Sequence, residues 1–171
     1  ANDQKNSTDE TPINLSANNI EMEYWSDAMV ELLNKLDIDY VFLLPGSSYR
    51  GLHDSLVNFG RNQKPRIILT THEQIAVSMA HGYSKATGRI GVCILHDLVG
   101  LMNGSMGIYN AFGDHTPILI LGGSGPLDPA DRRWIDWLHC ASSQSDIVKK
   151  YVKWTEEPTT PQWHLDAIAK A

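Results

Sequence analysis

Four short apolar runs set what this chain can fold into: Tyr40–Leu44, Arg66–Thr70, Ile90–Leu95 and Ile118–Leu121. Each is rich in branched side chains, and each is followed by a turn or a helix-length segment. They are continuous in apolar character, so both faces of each strand are expected to be covered. Strands alternating with helices point to a parallel sheet between two helical layers. A fifth, short strand is expected at Tyr151–Trp154. The expected fold class is α/β, a three-layer α/β/α domain around a six-stranded parallel sheet.

The connecting segments carry helix signals. From Glu21 to Leu36, Trp25, Met29, Leu32, Leu33 and Leu36 share one helical face. Gly51–Phe59 reads as a short helix, and Glu73–Ala86 as a longer one closed by Gly88. Leu101–Phe112, Ser142–Lys150 and Trp163–Ala171 read as further helices, and residues 124–138 as a loop. Residues 1–20 are polar and aperiodic and are expected to form a disordered tail. The folded domain is expected over 21–171. The chain runs out within a helical pattern, which suggests a fragment of a longer chain or a small subunit.

Charge and composition exclude several classes of function. Fourteen basic against twenty acidic residues give a net charge of −6, which does not suit a nucleic-acid surface. No stretch of about 18 apolar residues is available for a membrane span. The two cysteines, Cys93 and Cys140, form no disulfide framework and no zinc set. Cys93 sits in an apolar run and reads as a small buried hydrophobe. Their scarcity favours a reducing, cytoplasmic setting.

In a parallel sheet the strand ends share one edge, where ligands bind in open α/β folds. Three ends carry polar groups: Pro45-Gly46-Ser47-Ser48, Thr71-His72-Glu73 and His96-Asp97. Ser47, Glu73 and His96 can therefore converge although far apart in sequence. A hydroxyl, a carboxyl and an imidazole suit substrate holding and proton transfer. An acid among apolar neighbours there can act as a proton donor. Each also has a structural reading: Glu73 as a helix-dipole partner, Ser47 as a turn former, His96 as a satisfied strand-end residue. The other histidines show no metal-ligand spacing. Trp134, Trp137, Trp154 and Trp163 read as packing or subunit contact.

Familiar motifs fail on inspection. His72-Glu73 would open a zinc-protease helix only with histidine at position 76, which is Ala76. Gly46–Gly51 misses the spacing of a nucleophile elbow. Gly122-Gly123-Ser124-Gly125 runs into Pro126, so it opens no dinucleotide-binding helix. There is no phosphate loop with Gly-Lys-Ser/Thr.

Two segments carry a resemblance. His72-Glu73-Gln74-x-Ala76-Val77 with Gly82-Tyr83-x-x-Ala86-Thr87-Gly88 is the first, and Gly100-Leu101-Met102-Asn103-Gly104 with Ala111–Ile118 the second. Together they resemble the N-terminal, pyrimidine-binding domain of thiamine diphosphate-dependent enzymes, over roughly residues 22–171. Within that family the chain is most similar to benzoylformate decarboxylase, benzaldehyde lyase and their relatives, through Pro45-Gly46-Ser47, Leu95-His96 and Val152–Pro158. It departs from them at Leu44, where the decarboxylase has asparagine, and at Asp97-Leu98-Val99. Acetolactate synthase-like enzymes share the glutamate segment but not a histidine at position 96.

The resemblance implies a function and a set of roles. Glu73 would hydrogen-bond N1′ of the cofactor's aminopyrimidine. Pro45, Gly46, Gly100 and Asn103 would contact the cofactor, Ser47 the substrate's carboxylate, and His96 would relay protons. Mg²⁺ and the diphosphate would be held by a domain not in this chain, because Gly113-Asp114-His115 lacks the second glycine of the family's Gly-Asp-Gly motif. The chain by itself is then expected to be inactive. It implies a 2-oxo acid or aldehyde as substrate. A diphosphate-binding domain of the same or a partner chain would complete the site, in a homo-oligomer. The activity the resemblance implies is that of a 2-oxo-acid decarboxylase or carboligating lyase; an acetolactate synthase-like transferase domain, and a non-catalytic domain or small subunit of the same fold, are the rival expectations.

Overall fold

The computed structural model describes residues 21–126 and 128–171. The expected tail at 1–20 lies outside the described residues. The chain runs α1 (Trp25–Lys35), β1 (Tyr40–Leu43), α2 (Arg50–Val57), β2 (Arg66–Leu69), α3 (Glu73–Thr87), β3 (Gly91–Leu95), α4 (Asp97–Gly113), β4 (Ile118–Gly122), α5 (Trp134–His139) and α6 (Pro161–Lys170). A 3-10 turn, Ser47–Tyr49, joins β1 to α2.

The strands form one parallel sheet in the order β2-β1-β3-β4. Its register sets Phe42 beside Ile68 on one flank and Cys93 on the other. Period-2 alternation sends side chains to opposite faces. Val41, Leu43, Ile67, Val92 and Ile94 meet Val30 and Leu33 of α1, Leu52 and Leu56 of α2, and Ile168 of α6. Phe42, Cys93 and Leu95 meet Ala76, Val77 and Ala80 of α3 and Leu101 and Ile108 of α4. The result is the expected three-layer arrangement, with a core on each face of the sheet.

Small residues bring α3 and α4 close to each other and to the sheet. A Cβ on Gly104 would lie 3.1 Å from side-chain atoms of both Leu95 and Val77, and one on Gly107 2.9 Å from Val77. A Cβ on Gly91 would lie 2.1 Å from the Ala80 carbonyl oxygen, so β3 can start only with glycine there. Gln74 Oε1 accepts the Gly107 amide at 2.9 Å and ties the two helices together. Gly88 closes α3 in the left-handed region at φ 71°, as the sequence signal indicates.

The structure corrects the expected strand count: among the described residues the sheet has four strands, not six. Tyr151–Trp154 is not a strand. It attaches by side chains, with the Tyr151 ring edge-on to Tyr109 and Phe112 of α4. Aromatic docking there takes the place of ladder hydrogen bonds. Ser142–Lys150 shortens to a 3-10 turn at Gln144–Ile147, and the loop at 124–138 holds the short helix α5. Helix α4 starts at Asp97, a turn earlier than Leu101 suggests.

Candidate functional site

The chain passes from β1 outward to β2, returns across β1 to β3, and continues outward to β4. The direction reverses between β1 and β3, and that switch point opens a crevice at the strands' C-terminal edge. Gly46 follows β1 and His96 follows β3, so they face each other across it. A Cβ on Gly46 would lie 2.8 Å from His96 Cβ, and the missing side chain lets the two loops touch.

Glu73 enters the crevice as the first residue of α3, where a carboxylate suits the helix dipole. Its side chain is inside: the residue is 5% exposed. Asn103 Nδ2 donates to Glu73 Oε2 at 3.1 Å. A Cβ on Gly100 would lie 3.3 Å from Glu73 Oε1 and 3.2 Å from His96 Cβ. Gly100 and Asn103 both project from α4, a turn apart, and so frame one carboxylate together. Tyr49 is buried beside it and donates its hydroxyl to the Leu44 carbonyl. Burial, and next the Glu73 charge, push the Tyr49 phenol above its ordinary value.

His96 caps the start of α4 and is half-buried. Its Nδ1 lies 2.8 Å from Ser48 Oγ. Ser48, one residue beyond the serine singled out from sequence, thus reaches the imidazole, while Ser47 opens the 3-10 turn and is exposed. Pro45 is exposed at the mouth of the crevice. Glu73, Asn103, Gly100, His96 and Gly46 are therefore brought together, with Pro45 and Ser47 on the rim.

Two residues given no role from the sequence also reach the site. Asp97, next to His96, is 3% exposed and adopts φ 38°. His139, at the end of α5, sets its ring edge-on to His96 with centroids 5.2 Å apart. No spacing rule would find this, because 43 positions separate the two histidines. The exposed Trp134 and Trp137 lie on the same short helix, and Arg132 stacks over Trp137.

The donor set fits the pyrimidine end of a thiamine cofactor. A buried carboxylate is presented with its amide partner, and glycines stand where a Cβ would close the space around it. The comparisons agree. Residues 24–146 match the family model "Thiamine pyrophosphate enzyme, N-terminal TPP binding domain". The chain belongs to that family. It is 35% identical over 103 residues to the acetolactate synthase large subunit of Lactococcus lactis, covering 60% of this chain and 17% of that protein. It is 30% identical over 148 residues to the Pseudomonas aeruginosa protein named probable 2-ketoarginine decarboxylase, covering 84% of this chain and 25% of that protein. The benzoylformate decarboxylase structure from Polynucleobacter necessarius superposes with a TM-score of 0.75 at 23% identity, over 87% of this chain and 27% of that one. The chain thus spans only about a quarter or less of the length of these proteins. No helix among the described residues is long and apolar enough to cross a membrane.

Proposed function

We propose that this domain supplies the pyrimidine-side half of the active site of a 2-oxo-acid decarboxylase or carboligating lyase. The observation that carries the reading is the buried Glu73–Asn103 pair facing His96 across a crevice at the sheet's switch point. When bound, thiamine diphosphate supplies the carbon nucleophile and the electron sink for cleavage next to a carbonyl.

The chain's own residues have definable tasks. Asn103 holds Glu73 Oε2 and so orients the carboxyl, whose Oε1 lies on the open side left by Gly100. Glu73 holds a proton toward the pyrimidine ring. Gly46 and Pro45 offer backbone at the crevice wall. With Ser48 on Nδ1, Nε2 of His96 is the nitrogen that moves protons. Ser47 on the rim meets the substrate's carboxylate. Such proton-transfer groups are typically worth about 10²–10⁴ in rate.

Among the described residues α4 exposes Met102, Met106, Tyr109 and Phe112 in a row. This supports a diphosphate- and Mg²⁺-binding domain, of the same or a second chain, closing over the crevice in an oligomer. The acetolactate synthase relative keeps a transferase as the second reading. His96 favours the decarboxylase.

The test is turnover of 2-oxo acids by the full-length protein with thiamine diphosphate and Mg²⁺. Glu73→Gln is expected to abolish it and His96→Ala to slow it at least about 10²-fold. Full cofactor-dependent turnover by Glu73→Gln would overturn the reading. Condensation of two 2-oxo acids, insensitive to His96→Ala, would select the transferase.

A further inference from the structure

We propose that His96, Asp97 and His139 form a binding site for a zinc-class divalent ion, with the Cys140 thiol beside it as a fourth ligand. One ligand atom from each of the first three lies within 4.8 Å of the others. Cys140 Sγ is 3.7 Å from Asp97 Oδ2, and His96 Nδ1 is 3.8 Å from the same oxygen.

The second observation is the state of Asp97. Its side chain is 3% exposed, and its Oδ1 has no hydrogen-bond partner among the described residues. A carboxylate out of water needs a cation or a full set of donors. The nearby guanidinium of Arg133 is committed to Asp136, at 3.1 Å. Among the described residues no lysine or arginine forms an ion pair with Asp97: its Oδ2 takes the Cys140 thiol and faces His96 Nδ1, and its buried Oδ1 finds no donor there.

The donor types decide the class of ion. Two imidazoles, a carboxylate and a thiol suit a borderline-soft ion, whereas Mg²⁺ and Ca²⁺ take oxygen ligands. Zinc holds such ligands at about 2.0–2.3 Å, so side-chain rotations of about 1 Å would close the set of His96, Asp97 and His139, and the Cys140 side chain would turn in from its place beside Asp97. His139 and Cys140 lie at the end of α5, and the ion would fasten that helix to the end of β3. Occupancy would also take a nitrogen of His96. Inhibition by the ion rests on the proposed role of His96; binding of the ion does not.

The experiment is zinc retention by the full-length protein after dialysis against Zn²⁺ and desalting, read by elemental analysis. The Co²⁺ derivative's visible spectrum provides the second readout. The expected result is one retained ion per chain and a tetrahedral Co²⁺ spectrum with a thiolate charge-transfer band. His139→Ala should weaken retention by about 10–100-fold, with Asp97→Asn as a second variant, and His164→Ala should not change it. Cys140→Ser should remove the charge-transfer band. No retained zinc, or equal retention by His139→Ala, overturns the site. A Cys140→Ser spectrum identical to wild type overturns the fourth ligand.

Discussion

The side-chain amide of Asn103 meets the Glu73 carboxylate at 3.1 Å, across the contact between α4 and α3. A hydrogen bond to a charged group contributes about 1.5–3 kcal/mol. Asn103→Ala leaves the buried Glu73 Oε2 without this donor, so it should lower the melting temperature of the cofactor-free protein and weaken thiamine diphosphate binding about tenfold or more in the full-length protein. Isothermal titration calorimetry beside a melting curve checks both parts.

Gly100→Ala should separate stability from binding. Alanine inside a helix gains about 0.5–1 kcal/mol over glycine. Here the new methyl sits 3.2 Å from His96 and 3.3 Å from Glu73 Oε1, a tight fit that offsets the gain. Melting in the absence of cofactor should be nearly unchanged, while the stabilisation conferred by added cofactor should shrink sharply. An unchanged cofactor response would show that the space over Gly100 is not used.

Two other glycines make opposite tests of the scaffold. Gly82 is exposed in the middle of α3 with nothing within 4 Å of a new Cβ. Gly82→Ala should raise Tm by about 1–4 °C, from about 0.5–1 kcal/mol of helix propensity. Gly91→Ala drives a methyl onto the Ala80 carbonyl and should cost about 3 kcal/mol or more. Differential scanning calorimetry distinguishes the two.

Asp37 carries a pH prediction. It is held below its ordinary value of 3.8 by its hydrogen bond to Lys64 and by the charges of Arg89 and Lys64. A carboxyl depressed on folding adds stability above its unfolded pKa, and that stability is lost as pH falls through the folded value. Asp37→Asn keeps a residue that tolerates φ 60° but loses the ion pairs. The variant should melt slightly below wild type at neutral pH, and the gap should close in acid and in high salt.

The cysteines should differ in reactivity. Cys93 is fully buried, and burial pushes its thiol up to about 12. Cys140 is half-buried and only raised, first by burial. Alkylation of the folded protein, followed by intact mass, should modify Cys140 slowly and Cys93 only after unfolding. Cys93 modified first would contradict the packing of β3.

Much of this arrangement was legible because its signals are local. Apolar runs gave β1 to β4, and Gly88 marked the end of α3. Glu73, at a strand-to-helix junction, and His96, at a strand end, could be put on one edge by topology alone. The site's other members depend on contacts between distant segments. Ser48 rather than Ser47 reaches His96 because a 3-10 turn rotates the pair by a residue. His139 arrives on a helix that two prolines and two tryptophans disguised as loop. Tyr151–Trp154 has strand-like residues but finds aromatic rings on α4 before a strand edge. In each case long-range packing decides what the local pattern leaves open.

The bond from the Gly107 amide to Gln74 lies one residue from Glu73. Helices pinned together so near the acid leave its carboxylate little freedom to wander. Pro45 and Ser47, by contrast, stand exposed on the rim. This domain therefore divides its labour. Two helices fix where the carboxylate stands, and the exposed rim is what any approaching molecule meets first.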